Sequence, residues 1–271
     1  MPEGQFLSWQ PGTLYSDKTD TIPWLLEPGS DLVIQVHMNP SGKPEPFQCS
    51  VGLYFSDEPP VATPYKIKLT SLAIDIPPNE QKFEVKDEFV LPGDVEVTRV
   101  LPHAHYLCRR MEGYAILPDG SKKWLLLIKN WDFNWQGDYQ YQNSVFLPKG
   151  TKITMNYTFD NTTNNIANPN SPPSRVIYGP QSSDEMAELW FQLVLKNPGD
   201  RPLFDKVSRE KAKATLLEFG RLGFVIDSKN PDLLIMAAQA RLAEQDFRGA
   251  YELYSQVVRL DPNRVSAWFN M

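Results

Sequence analysis

Cysteine and histidine are scarce: the 271-residue chain carries two of the first and three of the second. Cys49 and Cys108 are too few for a disulfide scaffold and form neither a CxxC nor a CxxCH motif, so a stapled fold is excluded and the redox compartment stays open. Long apolar runs are missing as well. A stretch such as Trp124 to Ile128 falls far short of the roughly 18 to 20 residues a membrane helix needs, so no span is expected. There is no basic run to follow a phosphate backbone: 27 Lys and Arg against 33 Asp and Glu give a net charge of −6, which disfavours nucleic acid as a partner. The opening Met-Pro-Glu-Gly-Gln-Phe lacks a basic n-region and an apolar h-region, so no secretory signal is expected within this chain itself.

What is present is the composition of folded protein, with 41% apolar, 12% aromatic and 22% charged residues over a length that suits about two domains. Prolines (24) outnumber glycines (15), which points to many turns. From Gly4 to about Leu195 the text reads as short strands rich in Val, Ile, Tyr, Phe and Thr, at 31–38, 50–55, 66–76, 82–90, 96–101, 113–117, 123–129, 151–159 and 187–195. Leu91-Pro-Gly-Asp94 and Leu147-Pro-Lys-Gly150 lead into strands, Pro118-Asp-Gly120 suits a hairpin turn, and 160–173 reads as a polar loop. Regular short strands of this kind predict a mostly β fold, a sandwich or jelly roll.

Near Asn197 the pattern changes to helical. Ser208 is the expected N-cap of a helix running to Val225, with Leu216, Leu217, Phe219 and Leu222 as its apolar stripe. Between 231 and 264 two amphipathic helices flank a polar turn at Glu244-Gln-Asp246, and Leu234, Ala238, Ala250, Tyr254 and Pro262 occupy the slots of a 34-residue tetratricopeptide unit. Val265 would open a second copy, cut at Met271. Because such arrays need about three copies to bury their faces, a fragment of a longer protein is expected; the plainer alternative is one helical hairpin packed on the sandwich.

The chemistry is concentrated in His37, His103 and His105. Pro102-His-Ala-His-Tyr106 ends a strand, and if that strand continues, side chains at i and i+2 share a face and present both imidazoles to one point. Such a pair chelates a borderline metal, unless it is a chance pair on a polar face. The spacing does not suit a cupin, since Glu112 comes seven positions after His105. A third donor is suggested by Gln181-Ser-Ser-Asp-Glu-Met186, where Met186 stands at a turn-to-strand junction. A thioether beside two imidazoles selects Cu(I), although a methionine taken alone is more often core packing. Trp131, Phe133 and Trp135 alternate with polar residues as in a strand, as core or as a substrate platform, with Gln136 a candidate support for the site. Asp184 and Glu185 could tune the site, although solvated turn carboxylates are the commoner case.

In order along the chain, Val33-Ile-Gln-Val-His-Met38, Cys49-Ser-Val-Gly-Leu53, Pro102-His-Ala-His105 with Gly113-Tyr114, and Ser182-Ser-Asp-Glu-Met186 resemble the copper type II, ascorbate-dependent monooxygenases, whose best-known members act on peptidylglycine and dopamine. The resemblance covers about residues 25–196. It implies paired jelly-roll domains with two coppers per complete protein, of which one site is complete here. His103, His105 and Met186 would hold the catalytic copper, where dioxygen binds and a substrate C–H is hydroxylated. His37 matches one ligand of the electron-transfer copper, and otherwise reads as an ordinary strand histidine. The adjacent His-His pair that completes that second site has no counterpart here, which fits either a missing upstream segment or a lost site.

The division implied is 1–42 as the end of an N-terminal copper domain, 43–197 as the copper β-sandwich, 198–230 as linker and helix, 231–264 as the repeat and 265–271 as the start of a second repeat. Ascorbate or a similar reductant, dioxygen, a small organic or peptide-like substrate and a protein partner on the repeat are the implied partners, in a periplasmic or secreted setting. Leu101 replaces the arginine that binds a substrate carboxylate in the peptide-amidating members, and Glu188 and Trp190 replace two further substrate contacts, so peptidylglycine is not the expected substrate. Ala187 replaces a cysteine of those enzymes, leaving Cys49 and Cys108 either bridged or as two buried thiols. The rival to an enzyme is a non-enzymatic copper-binding or structural sandwich on an interaction scaffold.

Overall fold

The computed structural model describes residues 22–271 apart from 35, 37, 39, 40, 54, 56–59, 61 and 227. Among them the strands are β1 (Pro64–Thr70), β2 (Asp75–Ile76), β3 (Phe83–Val90), β4 (Val95–Ala104), β5 (Cys108–Ile116), β6 (Lys122–Ile128), β7 (Tyr139–Leu147), β8 (Lys152–Phe159), β9 (Val176–Ile177) and β10 (Ala187–Leu195). They form two four-stranded antiparallel sheets, ordered β1-β10-β4-β7 and β3-β8-β5-β6, and a small β2-β9 pair. One hydrophobic cluster takes Ile67, Leu69, Val97, Leu189 and Phe191 from the first sheet and Val85, Met111, Ile153, Met155 and Tyr157 from the second. The two inner faces therefore pack on each other, as in a sandwich.

The bulge in β4 aims the His-x-His. Val95 and Val97 face the core, and strict alternation would carry 99, 101 and 103 inward too. The ladder to β7 slips between Val97 and Arg99, so Val100, Pro102 and Ala104 turn inward and His103 turns to the outer face. Pairing with β7 ends at Val100–Tyr139, which leaves Pro102 on a free edge where its missing N–H costs no ladder bond. Beyond that point the segment 129–138, between β6 and β7, runs alongside β4 in place of a strand.

After a short 3-10 turn (Pro198–Asp200) the chain becomes helical: α1 (Arg201–Phe219), α2 (Gly223–Ile226), α3 (Pro231–Ala243), α4 (Phe247–Leu260) and α5 (Val265–Asn270). Asn230 caps α3 through Asp232 N–H (2.9 Å) with Pro231 in the first turn, and Asp246 caps α4 through Gly249 N–H (2.9 Å). Helix α1 ties the two parts together. Phe204 is buried in the sandwich core against the Tyr65 ring, while Phe219 at the other end enters a second core with Leu234, Ala238, Ala250, Tyr254 and Val257. Lys211 adds an ion pair to Asp87 of β3 at 2.5 Å. No helix among the described residues is long and apolar enough to cross a membrane.

Several expectations need correction. The described residues of 31–38 and 50–55 form no strand and expose Leu32, Val33, Ile34, Val51 and Leu53; a strand needs a ladder partner, and none of the strands above pairs with them. Strand β7 was not expected, because Tyr139–Leu147 is crowded with Gln and Asn. The aromatic segment 130–136 is a loop: Trp131 is buried, Phe133 is half-buried and Trp135 is 70% exposed, so only the first belongs to the core. Helix α1 begins at Arg201, with Ser208 inside it bonded to Tyr65 at 3.2 Å, and it stops at Phe219 instead of reaching Val225. Cys49 is exposed, Cys108 is buried and both are free, so neither the bridge nor the pair of buried thiols holds.

Candidate metal centre

Ala187 of β10 pairs with Ala104 of β4, and both face the core. Their neighbours therefore turn to the outer face. Glu188 lies opposite His103, the ladder ends at Ala187–Ala104, and just beyond it the N–H groups of His105 and Met186 both donate to Glu185 Oε1. The ring centroids of His103 and His105 are 5.2 Å apart and nearly perpendicular. His103 and His105 thus stand together at one end of the β4–β10 ladder, with the Met186 backbone held beside that of His105; His105 is buried, His103 and Met186 are half-buried.

Hydrogen bonds decide the tautomers. His103 Nδ1 lies 2.7 Å from Gln136 Oε1, and the Gln136 amide is oriented by its own N–H donating to Phe133 O at 2.9 Å. His105 Nδ1 lies 3.0 Å from Asp184 O. Both partners are acceptors, so each Nδ1 carries the proton and each Nε2 carries the lone pair. A histidine that donates one ring N–H to a carbonyl is the usual form of a metal ligand held by its surroundings. Trp131 braces the same turn from below, its Nε1–H donating to His105 O at 3.0 Å, and Phe133 packs edge-on to the His105 ring.

Two carboxylates lie close by. Glu185 is fully buried, not solvated as its polar neighbours suggested. Its Oε1 accepts the N–H groups of His105 and of Met186 (2.9 Å), and Oε2 accepts Leu107 N–H at 2.9 Å. Burial pushes its carboxyl up to about 8, against the pull of the backbone N–H groups of Met186, His105, Leu107 and Cys108. Sequence reasoning named it as a residue that could tune the site but not as a buried one, because nothing in an acidic turn announces burial. Burial acts upward on Glu188 as well, but Lys68 Nζ at 3.3 Å, Trp190 Nε1–H at 3.0 Å and the nearby His103 bring it below the ordinary value. Burial, followed by the charge of Glu185, keeps the Cys108 thiol protonated, so it supplies no thiolate.

Among the described residues no group of three or more His, Cys, Asp and Glu side chains is gathered as a metal site. A set of two imidazoles and a thioether is of another kind, soft enough for Cu(I), and its residues fit that ion. His37 lies outside the described residues.

No protein-family model and no curated protein matches this chain. Among solved structures it is similar to a chain of the T13 particle of infectious bursal disease virus, at 10% identity and a TM-score of 0.25, over 53% of this chain and 35% of that one. A structure of the Gt strain of the same virus gives 11% identity and a TM-score of 0.21 over 55% and 39%. The chain thus spans little more than a third of these viral chains, and at such TM-scores the likeness carries no argument about its fold or work.

Proposed function

We propose that this chain is a copper-dependent monooxygenase-like protein that hydroxylates an organic C–H with dioxygen and a one-electron reductant such as ascorbate. The observation that carries the reading is the pair of imidazoles 5.2 Å apart, each donating its Nδ1–H to an oxygen, with the Met186 backbone tied beside that of His105 through Glu185 Oε1. Copper bound there would supply one-electron chemistry with dioxygen. Gln136 and Asp184 hold the rings and fix their protons, Trp131 and Phe133 close off the side of His105, and the half-buried His103 leaves the approach on its own side. Leu101 and Trp190 are paired two residues further along the same face, with Lys68 Nζ 5.0 Å from the centre of the Trp190 ring. The finer fold in this reading is a jelly roll.

The helical part is read as a tetratricopeptide unit that binds a protein partner. What supports this is the α3–α4 hairpin, closed by buried Ala237, Ala238 and Ala250, with Phe247 and Tyr251 exposed. Copper and dioxygen chemistry suits a periplasmic or secreted setting.

The test is Cu(I) titration of the purified chain against a chelator, with X-ray absorption on the product. We expect one tight site with nitrogen and sulfur scattering, loss of the sulfur shell in Met186→Ala, and ascorbate-driven oxygen uptake that the same change abolishes. Failure to take Cu(I), or a sulfur shell unchanged in the variant, overturns the reading. Tight binding without oxygen uptake favours the non-enzymatic copper module.

A further inference from the structure

Glu185 is a buried carboxylate whose two oxygens both accept main-chain N–H groups. Those groups do not belong to one loop. His105 and Leu107 lie in the turn between β4 and β5, whereas Met186 immediately precedes β10, far from both along the chain. The Glu185 backbone is anchored independently: its N–H donates to Ile177 O at 3.0 Å and its carbonyl accepts Gly179 N–H at 3.2 Å, which ties it to the end of β9.

From this geometry we infer that Glu185 is the positioning residue of the metal centre, a clamp that sets the backbones of His105 and Met186 at a fixed separation. The inference rests on the copper reading above. Oxygen Oε1 is shared between the His105 and Met186 amides, so any drift of one donor-bearing residue from the other breaks a bond in an environment without water. Oxygen Oε2, through Leu107, stops the turn from swinging about that shared point. Both oxygens keep lone pairs for N–H groups in either protonation state of the carboxyl, so the clamp does not depend on charge. Two ring bonds, from His103 to Gln136 and from His105 to Asp184, orient the imidazoles; Glu185 sets the separation of the backbones that carry one imidazole and the thioether.

Glu185→Gln is the informative change. The amide keeps one carbonyl oxygen for His105 and Met186 but turns an NH2 group toward Leu107 N–H, two donors face to face. The expected result is a protein with wild-type near-ultraviolet circular dichroism whose Cu(I) affinity, by competition with bathocuproine disulfonate, falls about 10- to 100-fold. Its copper X-ray absorption should keep the nitrogen shell and lose or broaden the sulfur shell. A folded Glu185→Gln protein with unchanged affinity and an unchanged sulfur shell overturns the inference while the copper reading stands. Wild-type protein that takes no Cu(I) overturns the copper reading and the inference together. Should the variant not fold, amide hydrogen exchange in wild type decides: protection of His105, Leu107 and Met186 equal to that of β10 supports the clamp, and exchange at the rate of exposed loops overturns it.

Discussion

At the scale of single residues, the site is built from hydrogen-bond acceptors that no donor motif reveals. Gln136 is the clearest. Its oxygen fixes the proton of His103, and its orientation is fixed in turn by Phe133 O. Replacing it by leucine keeps the volume but removes the acceptor, so His103 is free to turn over or to move its proton to Nε2, the atom a metal needs. Gln136→Leu should weaken Cu(I) binding by about 10- to 100-fold with little change in the thermal midpoint, since the group is only half-buried. Chelator competition beside a melting curve measures both. Of the residues expected to act here, His103 and His105 stand together and Met186 immediately precedes the adjacent strand, while the two turn carboxylates differ, Glu185 being buried and Asp184 half-buried.

At the scale of elements, ladder partners decide what propensity alone does not. Residues 31–38 carry Leu32, Val33, Ile34 and Val36 and residues 50–55 carry Val51 and Leu53, yet their described residues join none of the strands. Tyr139–Leu147, with glutamines and an asparagine, forms β7 because β4 offers it a register. The two-residue strands β2 and β9 are too short to hold by ladder bonds alone, and the Asp75–Arg175 pair, bidentate at 2.6 and 2.7 Å, spans them. Its hydrogen bonds from Arg175, against a smaller effect of burial, hold the Asp75 carboxyl below its ordinary value of 3.8. The folded value being the depressed one, the stabilisation is present above that ordinary value and is lost as the pH falls through the folded value. Denaturant midpoints of wild type and Asp75→Asn should therefore differ at neutral pH, wild type being the more stable, and converge as the pH falls through the depressed folded value. The difference will be small, because both side chains are well exposed to water and screened by it. A gap that persists at low pH would assign the effect to something other than the ion pair.

At the scale of the whole molecule, two hydrophobic cores share one helix. Phe204 and Phe219, fifteen positions apart on α1, are each fully buried, one in the sandwich and the other among the helices. Phe204→Ala removes a whole ring from the first core and should cost about 3–5 kcal/mol. Followed in urea by tyrosine and tryptophan fluorescence and by helical circular dichroism, the wild type should unfold in one transition. In the variant the fluorescence midpoint should fall further than the helical one, because the second core keeps its own contacts. Equal shifts of both signals would mean that the two cores form a single cooperative unit.

Local chemistry in the chain was enough to determine a mostly β body followed by helices, the turns at Pro118-Asp-Gly120 and Leu147-Pro-Lys-Gly150, and an aligned pair of histidines at a strand end. Each of these follows from alternation, turn propensity or helix period within a dozen residues. The tertiary structure alone decided that the β4 bulge turns His103 outward, that β10 brings Met186 to the same end, and that Glu185 is buried between them. The reason is physical: a one-residue slip in a ladder reverses every side chain beyond it, and a carboxylate is drawn inside only where main-chain N–H groups from separate elements converge on it.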